Sequence, residues 1–207
     1  GPSRRLLQQL DLSEAAQLPN LQFLYVQHRQ VTNVAAIADL MQLWEVCLDD
    51  TGLTNDDMQV LYSLNAIRTI SVPNNRITSL AGLSKAPDLF ALILDGNAIE
   101  DFSGLQESNA VAQLRLANTG LHSLEPLVGS RAGATMDFLA IDRNDLTDLT
   151  PVAQFPNLMT LALGMKDVLL DLSALSGLRL ENLQIYDTPL SSLSFLTGLP
   201  RLKALFV

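Results

Sequence analysis

A short apolar pattern recurs along almost the whole chain of 207 residues and constrains the fold more than any other feature. The pattern has apolar residues at its first, fourth and sixth positions. It begins at nine places: Leu21, Leu43, Ile67, Leu89, Val111, Met136, Leu158, Leu180 and Leu202. Successive starts are separated by 22, 24, 22, 22, 25, 22, 22 and 22 residues. All three positions are apolar in every copy, although only 48% of the chain is apolar, so the chain is built from repeats.

Each copy of the pattern predicts one short β-strand. The fourth and sixth residues have the two-residue spacing that places both side chains on one face of a strand, so the third, fifth and seventh residues face the other way. A single unit is too small to bury a core of its own, but stacked units join their apolar residues into one interior, with each strand parallel to the next. No linker interrupts the repeats, which predicts one elongated solenoid.

A polar residue of a particular kind follows the predicted strands. Asparagine or threonine occupies this place in six units: Thr51, Asn75, Asn97, Thr119, Asn144 and Thr188. An asparagine side chain can turn inward and pair with backbone groups where the chain bends, and a hydroxyl can do part of the same work. We therefore expect a ladder of side-chain hydrogen bonds along the stack.

Segments such as "LILDGNAIEDFSGL", "LAIDRNDLTDLTPVAQFPN" and "LQIYDTPLSSLSFLTGLPR" resemble the leucine-rich repeat family. The unit length is similar to the 22-residue class of nuclear phosphatase regulators and bacterial internalins, and the turns "DTGL", "NTGL" and "DTPL" look like bacterial variants. The resemblance covers Leu21 to Val207. It implies an α/β solenoid, a curved right-handed superhelix with a parallel sheet on its concave side and short helices or turns on its convex side. In this family the concave face is usually the partner-binding surface.

The repeat pattern also predicts the domain organisation. We expect one leucine-rich repeat domain over residues 4–207, with a partial repeat at 4–20, eight repeats at 21–201 and a partial repeat at 202–207. Residues 1–3 look like a protease-cleavage scar. Neither end carries the polar capping unit that closes the core of a solenoid, so we expect a fragment of a longer protein.

Three units differ from the common form. In the 24-residue unit, Thr54 and Asn55 precede apolar residues spaced three apart, which predicts a capped helix on the convex side. The 25-residue unit contains "VGSRAGAT", Val128 to Thr135, whose small residues predict a protruding loop. A shift of the later leucines in a third unit predicts a local bulge near Met165 to Asp167.

Composition restricts the partners and the compartment. The net charge of −9 disfavours sequence-independent nucleic-acid binding and favours a basic partner. The single cysteine, Cys47, cannot form an internal disulfide, and cytoplasmic and secreted locations are both compatible with it. No apolar run reaches 18 residues, so we expect no membrane insertion.

The sequence offers no convincing catalytic or metal-binding set, and we expect neither enzymatic activity nor a cofactor. His28 and His122 lie about four repeats apart, which argues against a histidine metal cluster. Acidic neighbours of Cys47 disfavour the thiolate that a nucleophile needs. The acidic pairs at 49–50 and 56–57 could bind calcium or act as acid and base, but solvated turn and helix-cap acids are the favoured interpretation.

The outward strand positions carry the candidate binding residues. Aromatic residues fall on this set at Phe23, Tyr25, Phe138, Tyr186 and Phe206, in a chain that is only 5% aromatic. Acids recur along one margin at Asp49, Asp95, Asp142 and Asp187. Aromatic anchors beside charged groups are typical of protein-recognition hot spots. We predict partner contacts from Phe23, Tyr25, Glu45, Asp49, Asp95, Arg115, Phe138, Asp142 and Tyr186.

Small outward residues, including Ala91, Ala140, Ala162 and Gly164, leave room for a partner with basic and apolar groups to approach the sheet. Alternatively, the aromatics cover the ends of the core or pack against flanking domains. Trp44 lies beside its strand and is interpreted as a half-buried rim residue rather than an anchor.

Three functions remain open at this point. The first is a non-catalytic protein-protein interaction module that binds a partner on its concave face. The second is the recognition arm of a larger multidomain enzyme, a GTPase or an effector ligase, whose catalytic domain lies outside this sequence. The third is an architectural spacer on a cell surface.

Overall fold

The computed structural model describes residues 9–164 and 171–207. Its strands are β1 (Leu10–Asp11), β2 (Phe23–Gln27), β3 (Val31–Thr32), β4 (Glu45–Asp49), β5 (Thr69–Ser71), β6 (Ala91–Ile93), β7 (Gln113–Arg115), β8 (Phe138–Ala140), β9 (Thr160–Leu163), β10 (Asn182–Ile185) and β11 (Ala204–Phe206). Its α-helices are α1 (Asn55–Tyr62), α2 (Ser103–Glu107) and α3 (Arg131–Thr135). Short 3-10 helices span Ala15–Gln17, Val34–Ile37, Leu83–Lys85, Glu125–Leu127, Thr150–Gln154, Leu172–Leu175 and Ser194–Gly198.

Nine of these strands form one parallel sheet in chain order, from β2 and β4 through β11. The strand register reproduces the repeat intervals of the sequence: Phe23 pairs with Glu45, Glu45 with Thr69, and Gln113 with Phe138. The predicted curved solenoid with a parallel sheet and short helices is therefore confirmed. Its right-handed sense stays a prediction. Near the N-terminal end of the described chain, β1 pairs with β3 to form a separate two-stranded sheet, which the repeat pattern does not predict.

The apolar ladders form the core. Every fourth and sixth residue from Val46 to Ile185 is buried, with at most 2% of its surface exposed. The prediction fails at the two outer strands: Leu24 and Leu205 are half-buried, and Val207 is 74% exposed. These residues belong to or follow edge strands, which have a neighbouring strand on one side only. Ladder residues of the outer strands are therefore less completely buried than those with a repeat on each side, although Val26 on β2 remains buried.

The predicted side-chain ladder is present. The amide of the buried Asn144 donates to the carbonyl oxygens of Leu116 (2.7 Å) and Ile141 (3.0 Å). Its Oδ1 atom accepts from the backbone N–H groups of Thr119 (2.9 Å) and Leu121 (3.0 Å). Asn75 and Asn97 bond to their neighbouring repeats in the same way: Asn75 Oδ1 accepts from Leu53 N, and Asn97 Nδ2 donates to Val72 O. Each asparagine therefore joins two consecutive repeats.

A second, backbone ladder turns the chain out of each strand. The described residues at the eighth position all have positive φ: His28, Asp50, Asn74, Gly96, Asn118, Arg143 and Asp187. Asparagine, aspartate and glycine tolerate this left-handed conformation best, which explains most of these choices. The N–H of an eighth residue donates to the seventh residue of the next repeat, as in His28 N to Asp49 O (2.9 Å) and Asn118 N to Asp142 O (3.0 Å). The turn fixes where the seventh side chains emerge.

The convex side carries the helices. The predicted helix in the 24-residue unit is confirmed as α1, where the Asp57 carboxylate accepts from both the N–H and the hydroxyl of Thr54 (2.9 Å each). Asn55 does not cap this helix but bonds to Thr78 in the next repeat. Within the described part of the chain, no helix has the length and apolarity that crossing a membrane requires.

The predicted protruding loop at 128–135 is wrong, because most of this segment folds into α3, which packs against α2. The buried hydroxyl of Ser130 caps the helix by accepting from Gly133 N (2.9 Å). Gly133 itself is buried, and a Cβ atom there would lie 3.0 Å from Leu127 O and 3.1 Å from Phe155 Cε1. Its small size thus serves close packing. The predicted bulge at Met165 to Asp167 lies outside the described residues.

Candidate functional site

The concave face carries two clusters of candidate residues, one at the first two strands of the sheet and one along its middle and later strands. The first, here called the aromatic patch, consists of Phe23 and Tyr25 on β2, Glu45 on β4, and Trp44 directly before β4. Phe23 and Tyr25 are 43% and 57% exposed, and their ring centroids lie 6.4 Å apart with nearly parallel planes. The half-buried Trp44 packs edge-on against Phe23 at 4.7 Å between centroids. Three aromatic rings therefore form one contiguous surface.

A short hydrogen bond holds the outer ring of this patch. The Tyr25 hydroxyl donates to Glu45 Oε1 at 2.6 Å, across the paired strands β2 and β4. This bond, followed by smaller contributions from burial and from the charge of Glu45, raises the pKa of Tyr25 to about 12. A carboxylate acceptor favours the protonated phenol, so Tyr25 stays neutral at physiological pH and presents an oriented ring.

The second cluster, here called the polar groove, is a depression of about 400 Å³ that runs along the carboxyl-terminal ends of strands β5 to β10. The fifth position of the repeat is Ala140 on β8 and Ala162 on β9. In the repeats on either side, the same position carries the long side chains of Arg115 and Gln184. Strands in a sheet lie about 4.8 Å apart, so two consecutive alanines leave a trough between the flanking side chains. The small residues that the sequence offers as room for a partner do line this depression.

One wall of the polar groove is a closed ion pair. Arg115 approaches Asp95 Oδ2 through Nε at 2.9 Å and through Nη2 at 2.8 Å. The other carboxylate oxygen of Asp95 accepts from the backbone N–H of Ala117 at 2.9 Å. Both oxygens of Asp95 thus make contacts within the protein. The ion pair therefore shapes the groove but offers a partner no unpaired charge.

Asp142 differs from the prediction. Its outward position predicts an exposed acid, but only 9% of the residue is accessible to solvent. A side chain on the outward face of a concave sheet can still be buried, because side chains from neighbouring strands converge there. Burial raises the pKa of the Asp142 carboxyl, with a smaller contribution from the charge of Asp95, while a hydrogen bond from its own backbone N–H and the charges of Arg143 and Arg115 act in the opposite direction. The nearest cationic atom among the described residues is Arg143 Nε at 4.0 Å, which is beyond hydrogen-bond distance.

Tyr186 forms the far wall of the polar groove, with 43% of the residue exposed and its hydroxyl donating to Gln184 Oε1 at 2.6 Å. Phe138 is only half-buried on β8 and lies outside both clusters. Asp49 also lies outside them, and its Oδ1 accepts from Asn74 Nδ2 at 2.9 Å.

The structure therefore divides the nine predicted residues unequally. It brings Phe23, Tyr25 and Glu45 into the aromatic patch, and it brings Asp95, Arg115, Asp142 and Tyr186 into the polar groove. The sequence pattern missed three contributors, Trp44, Arg143 and Gln184. The strand alignment contained a signal for Trp44. Glu45 pairs with Phe23 across β2 and β4, so Trp44, the residue before Glu45, lies close to Phe23.

The histidine, cysteine and acidic side chains of the described residues are dispersed. No group of three or more histidine, cysteine or acidic side chains within 9–164 and 171–207 could hold a metal ion. The closest approach of His28 to an acid is 3.3 Å from Asp50, and both side chains are more than half exposed. Such a pair suits a solvated turn.

A nine-stranded parallel sheet, an inward asparagine ladder and convex helices together define a leucine-rich repeat solenoid. Solved structures of this class have the same fold. The internalin InlF from Listeria monocytogenes has a TM-score of 0.67 and 22% identity, covering 93% of this chain and 62% of that chain. At such identity the likeness shows the fold alone.

Two further neighbours were solved as complexes. One, from the TLR13–ssRNA13 complex, has a TM-score of 0.63 and 17% identity over 95% of this chain and 35% of that chain. The other, from a complex of Latrophilin 3, Unc5D and the leucine-rich repeats of FLRT2, has a TM-score of 0.63 and 21% identity over 90% and 60%. This chain thus spans less than two thirds of each neighbour. No family profile matches its sequence, and the search of curated proteins found no match either.

Proposed function

We propose that this protein is a non-catalytic protein-interaction module that binds a partner with basic and apolar groups on its concave face. The observation that carries the proposal is the aromatic patch: Phe23 and Tyr25 expose their rings side by side on neighbouring outward positions of the sheet. Aromatic residues that are rigidly held and surface-exposed are typical anchors of protein interfaces. The hydrogen bond from Tyr25 to Glu45 and the contact of Phe23 with Trp44 reduce the entropy that binding would cost.

Charge supports a basic protein partner over a nucleic acid. The chain has 22 acidic and 13 basic residues, and a net charge of −9 repels phosphate backbones. The same charge raises the local concentration of a basic partner and speeds its association. The FLRT2 complex, in which a neighbour of the same fold assembles with other proteins, is consistent with this choice.

The proposal can be tested with a displayed library of random peptides. We expect the enriched peptides to combine lysine or arginine with aromatic or aliphatic residues. The double variant F23A/Y25A should weaken their binding at least tenfold, because the interface loses two anchors, each of which is worth about 1 to 2 kcal/mol or more at a hot spot. Affinity should also fall with rising salt.

Leu193→Ala is the matched control, because Leu193 is 49% exposed but lies next to the 3-10 helix at Ser194–Gly198 on the convex side. It should leave peptide binding unchanged. Thermal unfolding of F23A/Y25A should stay within a few degrees of the parent protein. Enriched peptides that bind F23A/Y25A and the parent equally, or preferential binding of single-stranded RNA, would contradict the proposal.

A further inference from the structure

Asp142 is the only acid among the described residues that is buried. Only 12% of its side chain is exposed, yet among the described residues its closest cation is 4.0 Å away. By contrast, Asp95 uses both oxygens in contacts of 2.8 to 2.9 Å, and Asp49 accepts from Asn74 at 2.9 Å. A buried carboxylate whose ion pair is this long costs folding free energy, and groups of this kind are enriched at functional sites.

The polar groove has the space for such a ligand. Asp142 lines it together with Ala140 and Ala162, which give it a floor of methyl groups. An alkyl chain can lie on this floor while a terminal charge reaches the carboxylate, as long basic side chains commonly do. Gln184 and Tyr186 are joined by a hydrogen bond of 2.6 Å and form a firm far wall.

Two arginines in the groove could compete for this role, and the geometry separates them. Arg115 is held by Asp95 through two of its nitrogen atoms. Arg143 has 69% of its side chain in solvent and approaches Asp142 only through Nε. Arg115 is therefore engaged by Asp95, and Arg143 pairs with Asp142 only at the outer limit of ion-pair distance.

We propose that the polar groove receives one cationic side chain of the partner, a lysine or an arginine, with Asp142 as its counter-ion. This inference rests on the proposed function and adds the chemistry of one contact: an aliphatic stem on Ala140 and Ala162 and a positive end group at the carboxylate.

The contact depends on pH. The ionisable groups that face Asp142 in the groove are Asp95, Arg115, Arg143 and Tyr186. Only the carboxylate form of Asp142 attracts a cation, and burial raises the pKa of its carboxyl above the ordinary value of 3.8. Affinity is therefore full at neutral pH and is lost as the pH falls through this raised value. The bound cation in turn lowers the pKa of Asp142.

The test uses small probes, so it needs no knowledge of the partner. N-acetyl-arginine methylamide and N-acetyl-lysine methylamide are titrated into the isotope-labelled protein, and NMR shifts of Ala140, Ala162 and the Asp142 carboxyl carbon are followed. A single charge-assisted contact corresponds to a dissociation constant of roughly 10 to 100 mM, which is measurable in this way. We expect saturable shifts at these residues from at least one of the two probes.

The neutral citrulline counterpart has the shape of arginine without its charge and should give no saturable shift. Asp142→Asn should abolish binding, whereas Asp49→Asn, at the same position of an earlier repeat, should preserve it. Arg143→Gln removes the cation that pairs weakly with Asp142 and should tighten binding severalfold at neutral pH, although loss of its charge also raises the pKa of the carboxyl. Unchanged amide shifts outside the groove verify that the variants are folded.

Binding of citrulline as well as arginine, retention of binding in D142N, or weaker binding in R143Q would overturn the groove assignment. So would the absence of shifts from both cationic probes. Loss of this proposal leaves the proposed function intact if F23A/Y25A still abolishes peptide binding. A probe that binds in an Asp142-dependent manner supports the groove whatever the peptide screen yields.

Discussion

The hydroxyl of Tyr25 and the carboxylate of Glu45 lie 2.6 Å apart on neighbouring strands, one repeat apart in the sequence. Side chains at outward positions of adjacent repeats stand side by side because the parallel register aligns Phe23 with Glu45 and Tyr25 with Cys47. The hydrogen bond therefore runs diagonally, from the fifth position of one strand to the third of the next. A solenoid can in this way build a shaped surface from residues that are about 20 positions apart in the chain.

Glu45→Ala should lower the pKa of Tyr25 from about 12 towards its ordinary value of 10.0, because the hydrogen bond is the main cause of the shift. The shift is upward in the folded state, so the stabilisation by this bond is complete below pH 10.0 and disappears as the pH rises through about 12. An NMR titration of the Tyr25 ring carbon beside the hydroxyl measures the pKa directly. An unchanged value in the variant would show that Glu45 does not control this phenol.

Asn144→Ala should destabilise the protein by about 2 to 4 kcal/mol, because it leaves two buried N–H groups and two buried carbonyl groups without their partner. The free energy of unfolding in urea measures this loss. Asn109, which is exposed, provides the control: Asn109→Ala should change stability by less than about 0.5 kcal/mol. Similar values for the two variants would contradict a structural role for the ladder.

The sequence predicts this ladder and the strand register well, because both depend on a structural requirement that recurs in every repeat. Apolar residues such as Leu94 and Leu116 must face the interior in every unit, so an insertion of two or three residues, as in the units of 24 and 25, has to be absorbed outside the strand. Asparagine after a strand likewise meets the same unpaired backbone groups in each unit.

Features that depend on a single unit could not be predicted in this way. The helix α3 replaces a predicted loop because Ser130 caps it and Gly133 permits close packing. The burial of Asp142 depends on what neighbouring strands place around it. The repeat pattern predicts on which face of the sheet a side chain lies, but not how far the neighbouring side chains bury it.

Thr54→Ala should destabilise α1 and the protein by about 0.5 to 2 kcal/mol, because the helix loses its capping residue. Asp57→Ala should have a similar effect, since its carboxylate accepts from both Thr54 donors. Asp56 lies beside them in the first turn, is exposed, and serves as the control. If Asp56→Ala costs as much as Asp57→Ala in chemical denaturation, the helix dipole rather than the capping contact is responsible.

Leu116→Ala should cost about 2 to 5 kcal/mol of stability, because Leu116 is fully buried and its truncation leaves a cavity in a close-packed core. Leu193→Ala removes the same atoms from a side chain that is 49% exposed, and should cost less than about 1 kcal/mol. Equilibrium unfolding of both variants compares the two sites. A loss well under 1 kcal/mol at Leu116 would contradict the inward register of the sixth positions.

Asp142→Asn should stabilise the free protein at neutral pH while it removes the cation contact. The pKa of Asp142 is raised in the folded state, chiefly by burial, so the folded protein disfavours the carboxylate form. The parent should therefore lose stability relative to D142N as the pH rises from 3.8 through the raised value, and the difference should vanish at lower pH, where both side chains are neutral.

Unfolding free energies of the parent and D142N across this pH range test the prediction, because acids that do not interact with Asp142 titrate equally in both proteins and cancel in the difference. The same carboxylate then links stability and binding: a group that destabilises the free solenoid at neutral pH is stabilised when a partner's cation reaches it. A D142N variant that is less stable than the parent at neutral pH would show that the carboxylate is already satisfied inside the protein, which would also remove the physical basis of the cation contact.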